Sequence, residues 1–351
     1  MYATHGGHIV LVGIEIDNCP VMSTCGQQLK ASGMGHGKLI CHIGHGKTGT
    51  SYIQSVLANN ATLLESAGIH YPEAADHHKA LKGLISSGNY QFLESDRVFS
   101  GPTTLISGER LFNALPKGDK LETLVLSKSN DVTVVLYVRD IIDFLVSAWL
   151  QSVKKADCTV DLDDFLPRKA EVHCARLLWW AKASQRQGFR LIIRNYSRHR
   201  TNLLRTFFSD LFEGSPSSEL IDRLTLPPTP SVNRSLSTVE CKIQMEFNKR
   251  LAGTGRFLGT AFVNSLPNIK AQKPRIDPVS YRTVRALISP TVEEFNSFLD
   301  PAERLLIEPI EDWNDSSAAD VPGRYHISEE QICILVEAIS TELLRLQKRG
   351  S

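Results

Sequence analysis

The chain has 351 residues, of which 42% are hydrophobic, and 39 Lys and Arg stand against 38 Asp and Glu. A net charge of +1 argues against a nucleic-acid or membrane-surface protein, because such proteins usually carry a basic excess. The seven cysteines are scattered and form no C-x-x-C pair, which argues against a zinc site and favours reduced thiols in a cytoplasmic protein. No apolar run reaches the roughly 18–20 residues of a membrane span.

The chain is predicted to form one domain behind a short extension. Residues 1–37 contain several glycines without periodicity, and we interpret them as a poorly ordered N-terminal extension. Residues 38–351 are predicted to form a single α/β domain. Its last part, about residues 238–351, is helical in pattern and poor in recognisable chemistry.

The most informative stretch is a strand, a glycine-rich turn and a helix. The apolar residues 39–43 predict a strand, residues 44–49 a turn, and residues 50–66 a helix ended by Gly68. Such a turn presents backbone N–H groups to a phosphate, and Lys47 adds a positive charge. Hydroxyl donors are expected from Thr48, Thr50 and Ser51.

Two further strands are followed by polar residues. Residues 69–71 predict a short strand that ends at Pro72, and His77 and His78 lie in the loop beyond it. Residues 104–107 predict the next strand, which leads to Glu109. In a parallel sheet, these loops should open on the same edge as the glycine turn.

The run at residues 132–138 is β-branched and apolar, as in a central parallel strand buried on both faces. It ends at Arg139, and the following helix, about residues 141–155, carries Ser147 two turns later. The later elements are predicted as helices at 162–167 and 173–187, a strand at 189–193, and helices at 202–212, 279–288, 291–299 and 328–349. Ser237 and Glu240 predict a capping box for a helix beginning near residue 238.

Two of these segments resemble the PAPS-dependent sulfotransferases, in particular soluble bacterial-type members. Lys47-Thr-Gly-Thr-Ser51 matches at every position the family's 5′-phosphosulfate loop, roughly K-[TAS]-G-[TS]-[TS]. Arg139 and Ser147 have the spacing of its 3′-phosphate motif, although Ile141 stands where many members have proline. The resemblance covers about residues 38–240 and is firm only in these two segments.

The resemblance implies a phosphate-loop three-layer fold with a mainly parallel central sheet flanked by helices. It implies transfer of a sulfuryl group from PAPS to a hydroxyl or amine acceptor, without a metal, leaving PAP. The acceptor is a small molecule, a lipid or a carbohydrate, and the sequence leaves this choice and the oligomeric state open. The implied cofactor-binding residues are Gly46, Lys47, Thr48, Gly49, Thr50, Ser51, Arg139 and Ser147.

The implied catalytic residues are Lys47, which neutralises charge on the leaving oxygen, and a base that takes the acceptor's proton. His77, His78 and Glu109 are the candidates for that base, because members of the family use either an imidazole or a carboxylate. Asn233 or Arg234, in a segment that resembles a bacterial N-x-S-L-S motif, is a further candidate to face the cleft.

Two alternatives remain. Gly46-Lys-Thr48 also ends the G-x-x-x-x-G-K-[ST] loop of phosphate-loop kinases and nucleotidases, but Cys41 stands where that loop needs its first glycine. A kinase would need Mg²⁺ and an acidic ligand at a strand end, for which Asp140 is the candidate. The other alternative is a non-catalytic relative that binds a nucleotide.

Overall fold

The structure is a computed structural model that describes residues 37–72, 102–109, 111–114, 129, 131–155, 157–214, 218–227, 234–251, 256–269, 274–311 and 327–350. All of these residues belong to one compact unit, His36–Ser351. Among the described helices, none combines the length and apolar character needed to cross a bilayer.

A five-stranded sheet forms the centre of this unit. Its strands are β1 Lys38–Gly44, β2 Ile69–His70, β3 Thr103–Ser107, β4 Val132–Val138 and β5 Arg190–Asn195. Their spatial order is β2-β3-β1-β4-β5, and every pairing is parallel. The carboxyl ends of all five strands therefore meet at one edge, and the predicted parallel α/β class is confirmed.

Helices connect and cover the strands. The described helices are α1 Thr50–Asn59, α2 Ala61–Ser66, α3 Leu111–Ala114, α4 Ile141–Lys155, α5 Leu162–Gln187, α6 Tyr196–His199, α7 Leu203–Leu211, α8 Ser218–Asp222, α9 Thr238–Arg250, α10 Arg256–Ser265, α11 Pro278–Asn296 and α12 Glu329–Gly350. A 3₁₀ turn, Pro301–Glu303, follows α11.

The sheet separates two apolar cores, as expected from the alternation of side chains along a strand. From β1, Leu39 and Ile43 enter the core built with α4, α5, α9, α10 and α11. Ile40 faces the opposite core, built with α1, α2 and α7. The fold therefore has three layers, helix–sheet–helix, and its C-terminal part is helical as predicted: α11 packs on α5, and α12 packs on α10.

Three predicted helix boundaries are wrong. The helix predicted over residues 50–66 is broken at Asn60, whose side chain bonds both the Val56 carbonyl, at 2.7 Å, and the backbone of Thr225. Conversely, α5 runs through Pro167, and α11 runs through Pro290, so each replaces two predicted helices. Buried neighbours on both sides of each proline hold the helix together despite the one missing hydrogen bond.

Candidate functional site

The glycine-rich turn follows β1 at the carboxyl edge and has an unusual backbone. Gly46, Lys47 and Gly49 all have positive φ, of 84°, 57° and 74° respectively. For Lys47 this conformation is uncommon, since a side chain disfavours the left-handed region. Gly49 in the left-handed region directly precedes the first right-handed residue of α1, and such a pairing turns successive N–H groups toward one side, which suits an anion.

Close packing explains two of the glycines in this turn. A Cβ on Gly44 would lie 1.9 Å from Thr50 Oγ1, and a Cβ on Gly49 would lie 2.5 Å from Leu203 Cδ2. The hydroxyls of Thr48 and Thr50 are buried and lie 3.3 Å from each other. Both hydroxyls thus contribute to the packing of the turn, while Ser51 is exposed at the start of α1.

The first turn of α1 follows directly on this glycine-rich turn. Its cap residue is Gly49, and no side chain from the described residues caps the first turn. The amides of a first helical turn lack partners inside the helix and carry the positive end of the helix dipole. The turn and the start of α1 therefore place backbone N–H groups and a partial positive charge just beyond the end of β1.

Cationic side chains gather around this turn. Lys47 is exposed, and partial burial of its ammonium lowers its pKa, with smaller contributions from the charges of Lys155 and Arg139. Glu109, which follows β3, acts in the opposite direction and raises the pKa of Lys47. Each of the other three groups thus acts electrostatically on Lys47, and two of them, Glu109 and Arg139, are residues that the sequence singled out.

Arg139 is already paired. Its Nη2 donates to Asp143 Oδ2 at 3.2 Å, one turn into α4, and both side chains are partly exposed. Ser147 lies one further turn along and is half-buried. Arg139, Asp143 and Ser147 follow one another at intervals of four residues, so they lie along one face of the helix start.

The position of the turn relative to β4 matches the usual place of a ligand in such sheets. From β1 the chain proceeds toward the β2–β3 side, whereas from β4 it proceeds to β5 on the other side. Ligands of open α/β sheets bind outside the carboxyl ends of the strands where the direction reverses. Here that crevice lies between the turn after β1 and Arg139 after β4.

The carboxylate of Asp140 is hydrogen-bonded to two other segments of the protein. Its Oδ1 accepts hydrogen bonds from the Leu306 backbone at 3.0 Å and from Asn195 Nδ2 at 3.4 Å. The carboxylate thereby joins the end of β4 to the end of β5 and to the segment after the 3₁₀ turn.

A buried aromatic cluster lies behind the turn. It consists of His45, Phe112, Phe144 and His173. The rings of Phe144 and His173 stack with centroids 3.8 Å apart, and His45 lies 4.3 Å from each of them. Both ring nitrogens of His45, and Nε2 of His173, are buried without a hydrogen-bond partner. Burial lowers the pKa of His173 to about 3 and that of His45 well below its ordinary value, so both rings are neutral.

A third buried histidine, His42, fixes the strand ends. His42 Nδ1 lies 2.8 Å from Ser107 Oγ, and Gln54 Nε2 donates to the Ser107 carbonyl at 3.1 Å. The Gly108 amide donates to the His42 carbonyl at 3.0 Å. These bonds join β1, β3 and α1, and so they fix the turn that carries Glu109.

Some predicted residues lie elsewhere or outside the described part. His77, His78 and Asn233 are outside the described residues. Arg234 is buried, and its guanidinium donates to both Glu240 oxygens, at 2.6 and 2.9 Å, and to two backbone carbonyls of the α10 region. Arg234 therefore links segments of the protein interior and does not face a cleft, as the sequence had led us to expect.

Three residues near the turn were missed. Lys155 could have been found, because it lies two further turns from Ser147 on the same helix. His45 sits inside the glycine turn itself, but its neighbour His173 comes from α5, much later in the chain. Only the tertiary fold brings the two imidazoles together.

Neither a family model nor a curated protein matches this chain. The described residues include a glycine-rich turn with three positive φ values, the cations Lys47 and Arg139, and the exposed carboxylate of Glu109 at the same sheet edge.

Proposed function

We propose that this protein is a PAPS-dependent sulfotransferase. The observation that carries the proposal is the turn at residues 44–49, with positive φ at three positions, beside Arg139 on the neighbouring strand. Two separate anion-binding elements flank one crevice, as a nucleotide with phosphates at both its 5′ and 3′ positions would require. PAPS, when bound, would supply the sulfuryl group and remain as PAP.

The residues of the turn would hold the 5′ end. Backbone amides of residues 46–51 would donate to the 5′-phosphate at the start of α1. The Lys47 ammonium would stabilise negative charge at the leaving oxygen, since it is the cation carried by the turn itself. Its lowered pKa is partly due to nearby cations, so an anion in the crevice would restore its preference for the charged form.

Arg139 and Ser147 would hold the 3′-phosphate. The guanidinium has five donors, and Asp143 engages one of its nitrogens, so donors remain for a phosphate. Phosphate also bears more charge than a carboxylate and accepts a bidentate contact. Asp143 would then hold Arg139 in place before the nucleotide arrives.

Glu109 is the candidate base that the described residues support. It is exposed at the carboxyl end of β3, and its charge acts on Lys47, so it lies near the expected site of transfer. His77 and His78 remain candidates by resemblance. The acceptor, whether small molecule, lipid or carbohydrate, stays open.

The structure offers less support for the kinase alternative. In a phosphate-loop kinase, the hydroxyl after the lysine binds Mg²⁺. Here the Thr48 hydroxyl is fully buried and faces Thr50. Asp140, the acidic candidate, already accepts two hydrogen bonds through Oδ1.

The deciding experiment is calorimetric titration with PAP, with and without Mg²⁺, of the wild type, Lys47→Ala, Arg139→Ala and Arg190→Ala. Arg190 is a matched control, because it also pairs with a carboxylate, Glu213 at 2.7 Å, but begins β5 at the opposite edge. Metal-independent binding lost in the first two variants and kept in the third supports the proposal. Mg²⁺-dependent binding of ATP, without binding of PAP, would refute it.

Binding alone does not separate an enzyme from a non-catalytic relative. Transfer of radiolabelled sulfate from PAPS to a panel of phenolic, lipid and carbohydrate acceptors tests this point. Tight PAP binding without transfer to any acceptor would favour the non-catalytic alternative. Loss of transfer in Glu109→Gln with unchanged PAP affinity would assign the base.

A further inference from the structure

The C-terminal helix α12 exposes a regular apolar stripe. Its members follow one another at intervals of four, three, four and three residues: Ile332, Val336, Ile339, Leu343 and Leu346. Ile339 is half-buried, and the exposed fractions of the other four lie between 45% and 58%. This spacing is that of the a and d positions of a coiled coil. We call these five residues the α12 seam.

The seam is distinct from the face that holds α12 on the domain. That inner face carries Gln331, which donates to Glu240 Oε1 at 2.9 Å, and the partly buried Ile334, Leu335 and Ala338. Every residue from Leu343 to Lys348 is exposed, so the second half of the helix extends beyond its support. The seam lies about 100° around the helix from the inner face, as follows from 3.6 residues per turn.

The charges of α12 are divided along its length. The acidic residues Glu329, Glu330, Glu337 and Glu342 all precede Leu343, and the basic residues Arg345, Lys348 and Arg349 all follow it. In an antiparallel pair of such helices, the acidic half of each lies beside the basic half of the other. A parallel pair would place like charges, and like ends of the helix dipoles, side by side.

This distribution favours a second copy of the same helix over a lipid surface. A helix that lies on an anionic membrane typically has basic residues along its whole polar face. In α12 the first half is acidic. Glu342, near the middle of an antiparallel pair, would approach its own counterpart, but Arg345 of the same helix already pairs with it.

We infer that two copies of this protein associate through antiparallel packing of their α12 seams. Opposite Val336 would lie Leu346 of the second copy, and opposite Ile339 would lie Leu343. The contact has only about four layers, so the association should be modest and concentration-dependent. The inference does not depend on the proposed enzymatic function.

The test is sedimentation velocity of the full chain over a range of concentrations. The expected mass is twice the monomer's 39.0 kDa at high concentration. Leu343→Lys should weaken the association at least about tenfold, as expected for a charge in an apolar layer. Leu344→Lys is the matched control: Leu344 is 58% exposed, as Leu343 is 56% exposed, but it lies outside the seam.

A wild type that stays monomeric at every concentration would overturn the inference, whether or not it binds lipid vesicles. Equal effects of Leu343→Lys and Leu344→Lys would overturn the assignment to the seam. Circular dichroism confirms that both variants fold, which is expected because both side chains are exposed.

The orientation is tested with the double variant Glu330→Lys/Glu337→Lys. In an antiparallel pair, the new lysines lie beside the partner's basic half, so association should weaken by a few-fold. Unchanged or stronger association would rule out the antiparallel arrangement, because in a parallel pair each new lysine lies beside the same lysine of the other copy and one like-charge contact only replaces another.

Discussion

Arg139 and Asp143 form an ion pair of 3.2 Å at the carboxyl edge of the sheet, where the crevice between β1 and β4 opens. The pair holds a guanidinium at the end of a central strand before any ligand is bound. If this guanidinium binds a 3′-phosphate, its contribution to nucleotide affinity must depend on that phosphate and on no other part of the nucleotide.

Replacing Arg139 with alanine is therefore expected to weaken PAP binding about 10- to 100-fold, because a hydrogen bond between charged groups contributes about 1.5–3 kcal/mol. Binding of 5′-AMP, which lacks the 3′-phosphate, should change little. Calorimetric titration of both nucleotides measures the difference. Arg139→Lys should fall between wild type and alanine, since it keeps the charge and loses the planar fork. Equal losses for PAP and AMP would contradict the assigned position.

Gly49 offers a test of the turn itself. Gly49→Ala should destabilise the fold by more than the roughly 1–2 kcal/mol that a left-handed residue with a side chain costs, because Leu203 must also move. Gly188→Ala is the matched control: Gly188 has a φ of 72°, close to the 74° of Gly49, with no atom within 4 Å of a new Cβ. Urea denaturation compares the two variants. Equal free energies of unfolding would show that the contact with Leu203 is unimportant.

Arg234 should matter for stability and not for the site. Removing one partner of a buried ion pair leaves the other charge uncompensated, so Arg234→Ala should lower the free energy of unfolding by about 3–5 kcal/mol. Arg256→Ala, which breaks the exposed pair with Asp157, should change it little. PAP affinity of the folded Arg234→Ala fraction should match the wild type. A folded variant that had lost PAP binding would return Arg234 to the cleft.

Stability should fall with acidification because of His173. Its pKa in the folded state is lowered from 6.5 to about 3 by burial, so the unfolded chain takes up the proton first as the pH falls. The stabilisation is complete above pH 6.5 and is lost between pH 6.5 and about 3. His173→Phe keeps an aromatic ring stacked against Phe144 and removes the imidazole that takes up the proton.

In that variant, the free energy of unfolding should depend less steeply on pH, by about 1.4 kcal/mol per pH unit below 6.5. Urea denaturation at a series of pH values measures the slope. His42 and His45 should account for part of the remaining slope, since burial lowers the pKa of each. Identical slopes in variant and wild type would contradict a neutral His173.

The frame of the site could be predicted because its signals are local. A β-branched apolar run such as residues 132–138 is typical of a strand buried on both faces, and glycines between a strand and a helix are typical of a turn that needs positive φ. The contact between Arg139 and Asp143 also follows from their spacing of four residues. The features that could not be predicted depend on contacts between residues far apart in the sequence.

Arg234 illustrates this limit. Its segment resembled one that faces a cleft, yet two of its acceptors are carbonyls of Phe262 and Leu266, at the end of α10. At the prolines within α5 and α11, the sequence predicted helix ends that the structure does not have. A local signal for a helix end was outweighed by packing, because Leu166 and Ala170 beside Pro167 are fully buried.

The central position of β1 bears on how the protein is made. Its neighbours are β3 and β4, which leave the ribosome only after the turn and α1 have already emerged. The turn follows β1, the first described strand, and is therefore synthesised early. One of its hydrogen bonds, from the His45 amide to the Tyr137 carbonyl, cannot form until β4 is synthesised. Under the proposed function, a nascent chain should acquire PAP affinity in one step, when β4 inserts beside β1, and not gradually as the residues of the turn appear.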